Sequence, residues 1–289
     1  MNGAELLHGL PHELVRGQLD STITGLAYDS RRVTPGTAFI ALPGTRVDGH
    51  DFAAAAVGLG ASLVITGRPV ELPGETAIVC VETPRAAMAQ LAAQFHGQPS
   101  AKLNLIGITG TNGKTTVAFL VRELLRGAGH RCGLIGTVEY DLGDRVIPAA
   151  RTTPESLELH ACFAGMVRAG CKICVMEISS HALAQHRVAG LEFQTTAFTN
   201  LTQDHLDYHG DMEKYFAAKQ TLFTQQPVDG IRIVNIDSPF GQRLSDKFVA
   251  TTFGESNSDL QITQLKLGQH QTEFTLAGVN FTMTIIGRH

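Results

Sequence analysis

Apolar residues in the first part of the chain come in short runs of β-like spacing: TITGLAY at 22–28, TAFIAL at 37–42, SLVIT at 62–66 and AIVCV at 77–81. A helix-like stretch, DFAAAAVGL at 51–59, falls among them, so a small α/β domain is predicted. Pro84 then opens an Ala-rich helical segment that reaches Phe95, and HGQPSAK, with Gly97 and Pro99, reads as a connector. The boundary is expected on this helix and connector, dividing the chain into domains 1–84 and 85–289.

From Leu103 the rhythm becomes strand (LNLIGIT), helix (TTVAFLVRELLRGAG), strand (CGLIGT), helix (PESLELHACFAGMVRAG) and strand (KICVMEI). Such alternation implies βαβ units and a parallel sheet. A helix (DMEKYFAAKQTLF) and a strand (IRIVNI) continue it, whereas QITQLKL, TEFTLA and FTMTII near the end read as consecutive antiparallel strands. The predicted class is therefore α/β: a small N-terminal α/β domain, then a central domain with a mainly parallel sheet plus an antiparallel β portion.

Composition narrows the function classes. At 289 residues and 43% hydrophobic content, the chain can bury a core in one large or two modest domains. A net charge of −4 and the lack of a Lys/Arg cluster argue against nucleic acid or an anionic membrane as the main partner, while leaving room for a small anionic ligand. The start, MNGAELLHGLPHEL, lacks the pattern of a signal peptide, and no stretch of about 18 apolar residues occurs, so a cytoplasmic location is expected. Cys80, Cys132, Cys162, Cys171 and Cys174 are an odd, sparse set, as for reduced thiols. Cys171 and Cys174 form a C-x-x-C without the second pair that a zinc site needs.

The chemistry starts at residues 107–116, GITGTNGKTT. The strict phosphate-loop pattern asks for glycine at the position of Ile108, so the generic motif is not met. The physics still holds. An apolar strand enters, Gly110 and Gly113 let backbone N–H groups approach phosphate, and the next helix presents its positive end. Gly110, Thr111, Asn112, Gly113, Lys114, Thr115 and Thr116 are thus expected around a nucleoside triphosphate, with Lys114 at the β/γ-phosphates and the Thr115 hydroxyl on Mg²⁺. Glu177 ends the apolar run 173–176, at the carboxyl end of a strand, where a Mg²⁺-binding acid belongs. Residues 199–210, TNLTQDHLDYHG, crowd Asp204, His205, Asp207 and His209 together, either as a metal or phosphate neighbourhood or as a capped turn before a helix. Lys219, in the middle of that helix, reads on sequence physics as a solvated surface residue.

These segments in this order resemble the Mur ligase family, most closely its UDP-N-acetylmuramoyl-tripeptide synthetase branch. The resemblance is carried by DSRRVTPGTAFIALPG, DGHDF, GITGTNGKTT, RTTPES, MEISSHALAQHRV and TNLTQDHLDYHGDMEKYFAAK, spanning residues 28–219. It implies that the N-terminal domain holds the uridine diphosphate end of a substrate through Ser30, Thr45, Arg46 and Val47. Thr152, Thr153, Ser179, Gln185 and Arg187 are implied contacts to the pyrophosphate and muramoyl-peptide parts; the guanidinium of Arg187 suits phosphate or carboxylate oxygens. Arg151, where some relatives carry Asn, is left out. Lys219 changes status, because the family's equivalent lysine is carbamylated. With Glu177 and His205 it would hold a second Mg²⁺, while Thr115 and Glu177 hold the first.

The implied reaction uses ATP to convert a carboxylate of UDP-N-acetylmuramoyl-L-alanyl-D-glutamate into an acyl phosphate, which the amine of meso-diaminopimelate or L-lysine attacks. Lys114, Lys219, Glu177 and His205 are the implied catalytic group. Family members continue into a C-terminal Rossmann-like domain, so the chain is expected to be an incomplete piece, inactive alone. Two other readings are carried forward: a non-catalytic nucleotide or UDP-sugar binding module, and another ATP-dependent amino-acid ligase such as a folylpolyglutamate synthetase, which the N-terminal UDP-type domain disfavours.

Overall fold

The structure is a computed structural model that describes residues 1–44, 47–255 and 257–284. The chain forms two compact units. The first comprises Met1–Lys102, Pro154–Gly165 and Gln185–Leu191. Its strands are β1 (Glu13–Arg16), β2 (Gly25–Ala27), β3 (Thr37–Ile40), β4 (Leu63–Thr66) and β5 (Ala77–Cys80), and its helices α1 (Gly3–Leu6), α2 (Ala53–Gly58) and α3 (Pro84–Phe95). They build a sheet of order β1-β5-β4-β3-β2, parallel except for β1.

This sheet is covered on both faces, which is why its strands read as continuous apolar runs. Ala38 and Ile40 of β3 pack with Leu63 and Ile65 of β4 on one side, and Phe39 packs with Val64 on the other. Ala87, Met88 and Leu91 of α3 close the first face, together with Leu6. Ala53 and Ala56 of α2 close the second. Helix α3 therefore belongs with the first unit, which corrects the expected split between residues 84 and 85. Its apolar side is spent on the first sheet, and periodicity alone does not say which sheet a helix covers.

The second unit comprises Leu103–Thr153, Met166–Ala184 and the chain from Glu192 onward. In chain order it carries β6 (Asn104–Thr109), α4 (Lys114–Gly127), β7 (Cys132–Ile135), β8 (Glu139–Asp141) and β9 (Val146–Pro148). Helix α5 (Ser156–Arg168) starts in the first unit's segment and ends in the second's. Then come β10 (Ile173–Glu177), α6 (Ser180–Ala184), β11 (Phe193–Phe198), α7 (Leu206–His209), α8 (Met212–Thr224), β12 (Ile231–Asn235), α9 (Pro239–Lys247), β13 (Thr251–Gly254), β14 (Leu260–Leu267), β15 (Thr272–Leu276) and β16 (Val279–Met283).

Among the described residues the strands join in the order β16-β15-β14-β13-β12-β11-β6-β10-β7-β8-β9. The stretch from β14 to β7 is parallel, and both flanks are antiparallel. The mainly parallel sheet with an antiparallel portion is thus the architecture seen. The sequence pattern missed β1, the β8–β9 hairpin and α9. Strand β1 is largely exposed, and β8 and β9 are too short for a two-residue period to register. Helix α9 did carry a signal: Ser238 caps it by accepting from the Gly241 N–H, and Pro239 occupies its first turn.

Register places the chemistry. Ile108 of β6 lies opposite Glu177 of β10, Thr109 opposite Phe198 of β11, and Ile135 of β7 opposite Met176. Four neighbouring parallel strands therefore end together, and their following loops meet along one carboxyl edge, the ligand edge of such sheets.

Candidate phosphate and metal site

The loop after β6 has the geometry its glycines allow. Gly113 adopts φ +83° as the residue capping α4, and Gly110 adopts φ +146°. A β-carbon at Gly110 would run into the Thr199 hydroxyl and crowd the Asn200 backbone. The segment after β11 braces the loop. Thr111 N–H donates to the Asn200 carbonyl (2.9 Å), Asn112 N–H to Asn200 Oδ1 (3.0 Å), and the Thr199 hydroxyl to the Asn112 carbonyl (2.6 Å). Val117 N–H to Gly113 O is the first bond of α4, so the amides of Lys114, Thr115 and Thr116 precede any intrahelical acceptor and point to the loop's mouth.

Both lysines of interest meet at one atom. Lys114 Nζ donates to the carbonyls of Gly110 (3.0 Å) and Thr111 (2.8 Å), and Lys219 Nζ donates to that same Gly110 carbonyl at 2.7 Å. Lys219 is 1% exposed on α8, its amine 4.7 Å from the centre of the Tyr215 ring. The expectation of a solvated surface lysine, drawn from sequence physics alone, is therefore overturned: α8 turns this face inward. Burial drives the Lys219 pKa well below the ordinary lysine value, the Lys114 cation adds to the effect, and Asp204 opposes it. Burial also lowers the Lys114 pKa, with Glu177 and Asp204 opposing.

Glu177 ends β10, where its position after an apolar run predicts it, and the structure shows it fully buried. Its Oε2 accepts from the Thr115 hydroxyl (2.8 Å) and the Thr137 hydroxyl (3.1 Å), and its Oε1 from the Thr137 N–H (2.8 Å). A carboxylate and a hydroxyl in contact beside a phosphate loop are hard oxygen donors of the kind Mg²⁺ takes, so Thr115 and Glu177 fit such an ion. Lys219 as a plain amine does not add to that set.

The crowded stretch divides. His205 starts α7 with φ +52°, is about half exposed, and keeps its Nε2 3.5 Å from Asp204 Oδ2. Its ring lies 4.9 Å from that of His181. His209 is buried and turned to the Ser180 hydroxyl at 2.9 Å, with its ring 5.1 Å from Tyr215. Among the described residues no three His, Cys, Asp or Glu side chains converge as a metal cluster. Cys171 and Cys174 are buried thiols outside any disulfide.

The remaining candidates separate by unit. In the second, the Thr153 hydroxyl donates to the Glu177 carbonyl (2.8 Å) and accepts from Ser179 N–H (3.1 Å), and Thr152 Oγ1 lies 3.1 Å from Thr137 Oγ1. In the first, Ser30 opens a short 3-10 turn, Ser30–Arg32, and Val47 is exposed. Thr45 and Arg46 lie outside the described residues. Arg187 is buried, with its guanidinium 3.0 Å from Glu155 and donating to Gln185 Oε1 at 2.7 Å, so protein oxygens already engage its fork. Sequence reasoning missed Thr137, Thr199, Asn200 and Tyr215. Each is an ordinary polar residue whose role depends on tertiary placement; Thr199, Asn200 and Tyr215 lay in stretches that had drawn notice, and Thr137 did not.

Residues 108–289 match the model of the Mur ligase middle domain, and residues 22–96 that of the Mur ligase family catalytic domain. A UDP-N-acetylmuramoyl-L-alanyl-D-glutamate--2,6-diaminopimelate ligase of Clostridium perfringens is 40% identical over 295 residues, covering 98% of this chain and 60% of that protein. The Solibacter usitatus protein of the same name is 50% identical over 250 residues, covering 84% and 50%. A solved structure of a ligase of that name superposes with a TM-score of 0.78 at 26% identity, covering 98% of this chain and 59% of that one. The chain thus spans between half and three-fifths of the length of these relatives.

Proposed function

Starting from the chain's membership of the Mur ligase family, we propose that it carries the UDP-substrate unit and most of the ATP centre of a ligase that joins 2,6-diaminopimelate to UDP-N-acetylmuramoyl-L-alanyl-D-glutamate. The observation that carries this reading is the meeting of Lys114 and Lys219 on the Gly110 carbonyl, beside the Thr115–Glu177 contact. A triphosphate in the loop would receive the free first-turn amides and the Lys114 amine, which has only to leave two carbonyls to reach it. Thr115 and Glu177 would hold one Mg²⁺, and Glu177, His205 and a carbamylated Lys219 a second. Bound Mg²⁺ would offset negative charge on the transferred phosphoryl group.

Lys219 suits carbamylation because burial lowers its pKa well below the ordinary lysine value, which favours the neutral, nucleophilic form over that of an exposed lysine. The amine, in its deprotonated form, bonds through nitrogen to the carbon of CO₂ and releases a further proton, so a group whose cationic form Lys114 repels becomes an anion that Lys114 attracts. In the ligation itself, a substrate carboxylate oxygen bonds to the γ-phosphorus as the bond to ADP breaks. The diamino acid's amine then bonds to the acyl carbon, phosphate leaves, and the amine loses a proton. The chain's part is to hold these groups in line and exclude water around them. Ser30, Thr45, Arg46, Val47, Thr152, Thr153, Ser179, Gln185 and Arg187 are the proposed substrate contacts. The work would be done in the cytoplasm, where nucleotide-linked precursors and ATP are available.

ADP release by the full-length protein tests this. It should require both UDP-N-acetylmuramoyl-L-alanyl-D-glutamate and 2,6-diaminopimelate, and this 289-residue stretch should bind ATP without ligating. ADP release with a folate acceptor and none with the muramoyl dipeptide would overturn the assignment.

A further inference from the structure

Thr137 was singled out by nothing in the sequence, yet it makes more bonds to Glu177 than any other residue of the site. Strand β7 stops at Ile135, opposite Met176, so the next two residues run past Glu177 at the sheet's carboxyl edge. Gly136 supplies the room: a β-carbon there would lie 2.5 Å from Glu177 Oε1. Thr137 then grips both carboxylate oxygens, its N–H on Oε1 at 2.8 Å and its hydroxyl on Oε2 at 3.1 Å. One residue bonding both oxygens restrains the rotation of the carboxylate, and the Thr115 hydroxyl reaches the same Oε2.

The same hydroxyl also meets Thr152 Oγ1 at 3.1 Å. A hydroxyl has one proton, and an ionised carboxylate can only accept. The Thr137 hydroxyl is placed to donate to either Glu177 Oε2 or Thr152 Oγ1, one at a time. Thr137 thus stands between Glu177 and Thr152, in hydrogen-bond reach of both.

We infer that Gly136-Thr137 is a positioning device that presets the Glu177 carboxylate for a divalent cation and ties it to Thr152. The inference rests on the nucleotide reading above and adds residues to it. Partners that orient a metal-binding carboxylate commonly change metal affinity by ten- to a hundredfold when removed. Thr137 is exposed, so replacing its hydroxyl by a methyl is compatible with folding.

Binding of a fluorescent ATP analogue to this chain, measured over a series of Mg²⁺ concentrations, tests it. Thr137→Val should raise the Mg²⁺ concentration needed for half-maximal binding about tenfold, Thr137→Ser should restore the normal requirement, and thermal unfolding should be unchanged in both. Gly136→Ala, which pushes on Oε1 but keeps Thr137, should raise the Mg²⁺ requirement as well. An unaltered requirement in Thr137→Val overturns the inference, and should that variant not fold, an unaltered requirement in Gly136→Ala does so. If the unsubstituted chain shows no Mg²⁺-dependent binding, the nucleotide reading itself fails, which separates the two outcomes.

Discussion

Lys219 shows how one residue can serve function at the expense of stability. Its amine is almost fully buried, close to a second amine, and it donates to a carbonyl that Lys114 also bonds. Replacing it by Met keeps the volume, removes a group that is costly to bury, and leaves Gly110 O with the Lys114 bond. Lys219→Met should therefore stabilise this chain by about 1 kcal/mol, read as a higher urea midpoint. In the full-length protein the same change should lower turnover by orders of magnitude, and Lys219→Ala should be partly rescued by short carboxylates that fill the space. Near-normal turnover in either variant would remove the carbamate from the mechanism. At the neighbouring lysine, Lys114→Ala should abolish ADP release.

At the scale of elements, the phosphate loop is held from outside as much as by its own glycines. The segment after β11 supplies bonds to Thr111 and Asn112, and Tyr215 of α8 meets the Thr111 hydroxyl at 3.2 Å. Gly110 is where this brace comes nearest. Gly110→Ala combines a backbone angle that L-residues rarely adopt with a collision against Thr199 and Asn200. A loss of about 2 to 4 kcal/mol in unfolding free energy is expected, together with loss of ATP binding. Binding of ATP with normal affinity by a folded Gly110→Ala chain would show that the brace can yield. The loop motif was legible because glycines and a lysine at fixed spacing encode a local shape, even with Ile108 in place of the usual glycine. The brace was not, since its partners lie about ninety residues away along the chain.

For the molecule as a whole, a buried histidine links stability to acidity. His160 on α5 is 1% exposed, packs edge-on to Phe163, and its Nδ1 has no hydrogen-bond partner. Burial pushes its pKa down from the ordinary 6.5 to about 4, with His96 adding to the effect. As pH falls below 6.5 the unfolded chain takes up a proton that the folded one refuses, so stability declines until about pH 4. The loss should be on the order of 3 kcal/mol over that window. Chemical denaturation of the chain at several pH values should show it, and His160→Leu should remove most of the slope; an equal slope in that variant would place the acid sensitivity elsewhere. No helix of the described residues is long and apolar enough to cross a membrane.

What the sequence determined by itself is the chemistry that lies along the chain: strand and helix periods, the loop between β6 and α4, the acid at the end of β10, and the ordered motifs of the Mur ligases. These are set by neighbours within a few residues, so spacing alone encodes them. Tertiary structure decided three things. It gave α3 to the first sheet, because the apolar face of a helix does not specify its partner. It buried Lys219, because the surroundings of α8 rather than its own weak amphipathic pattern choose the inward side. It brought Thr137 to Glu177, because parallel register sets one strand end against another forty residues away.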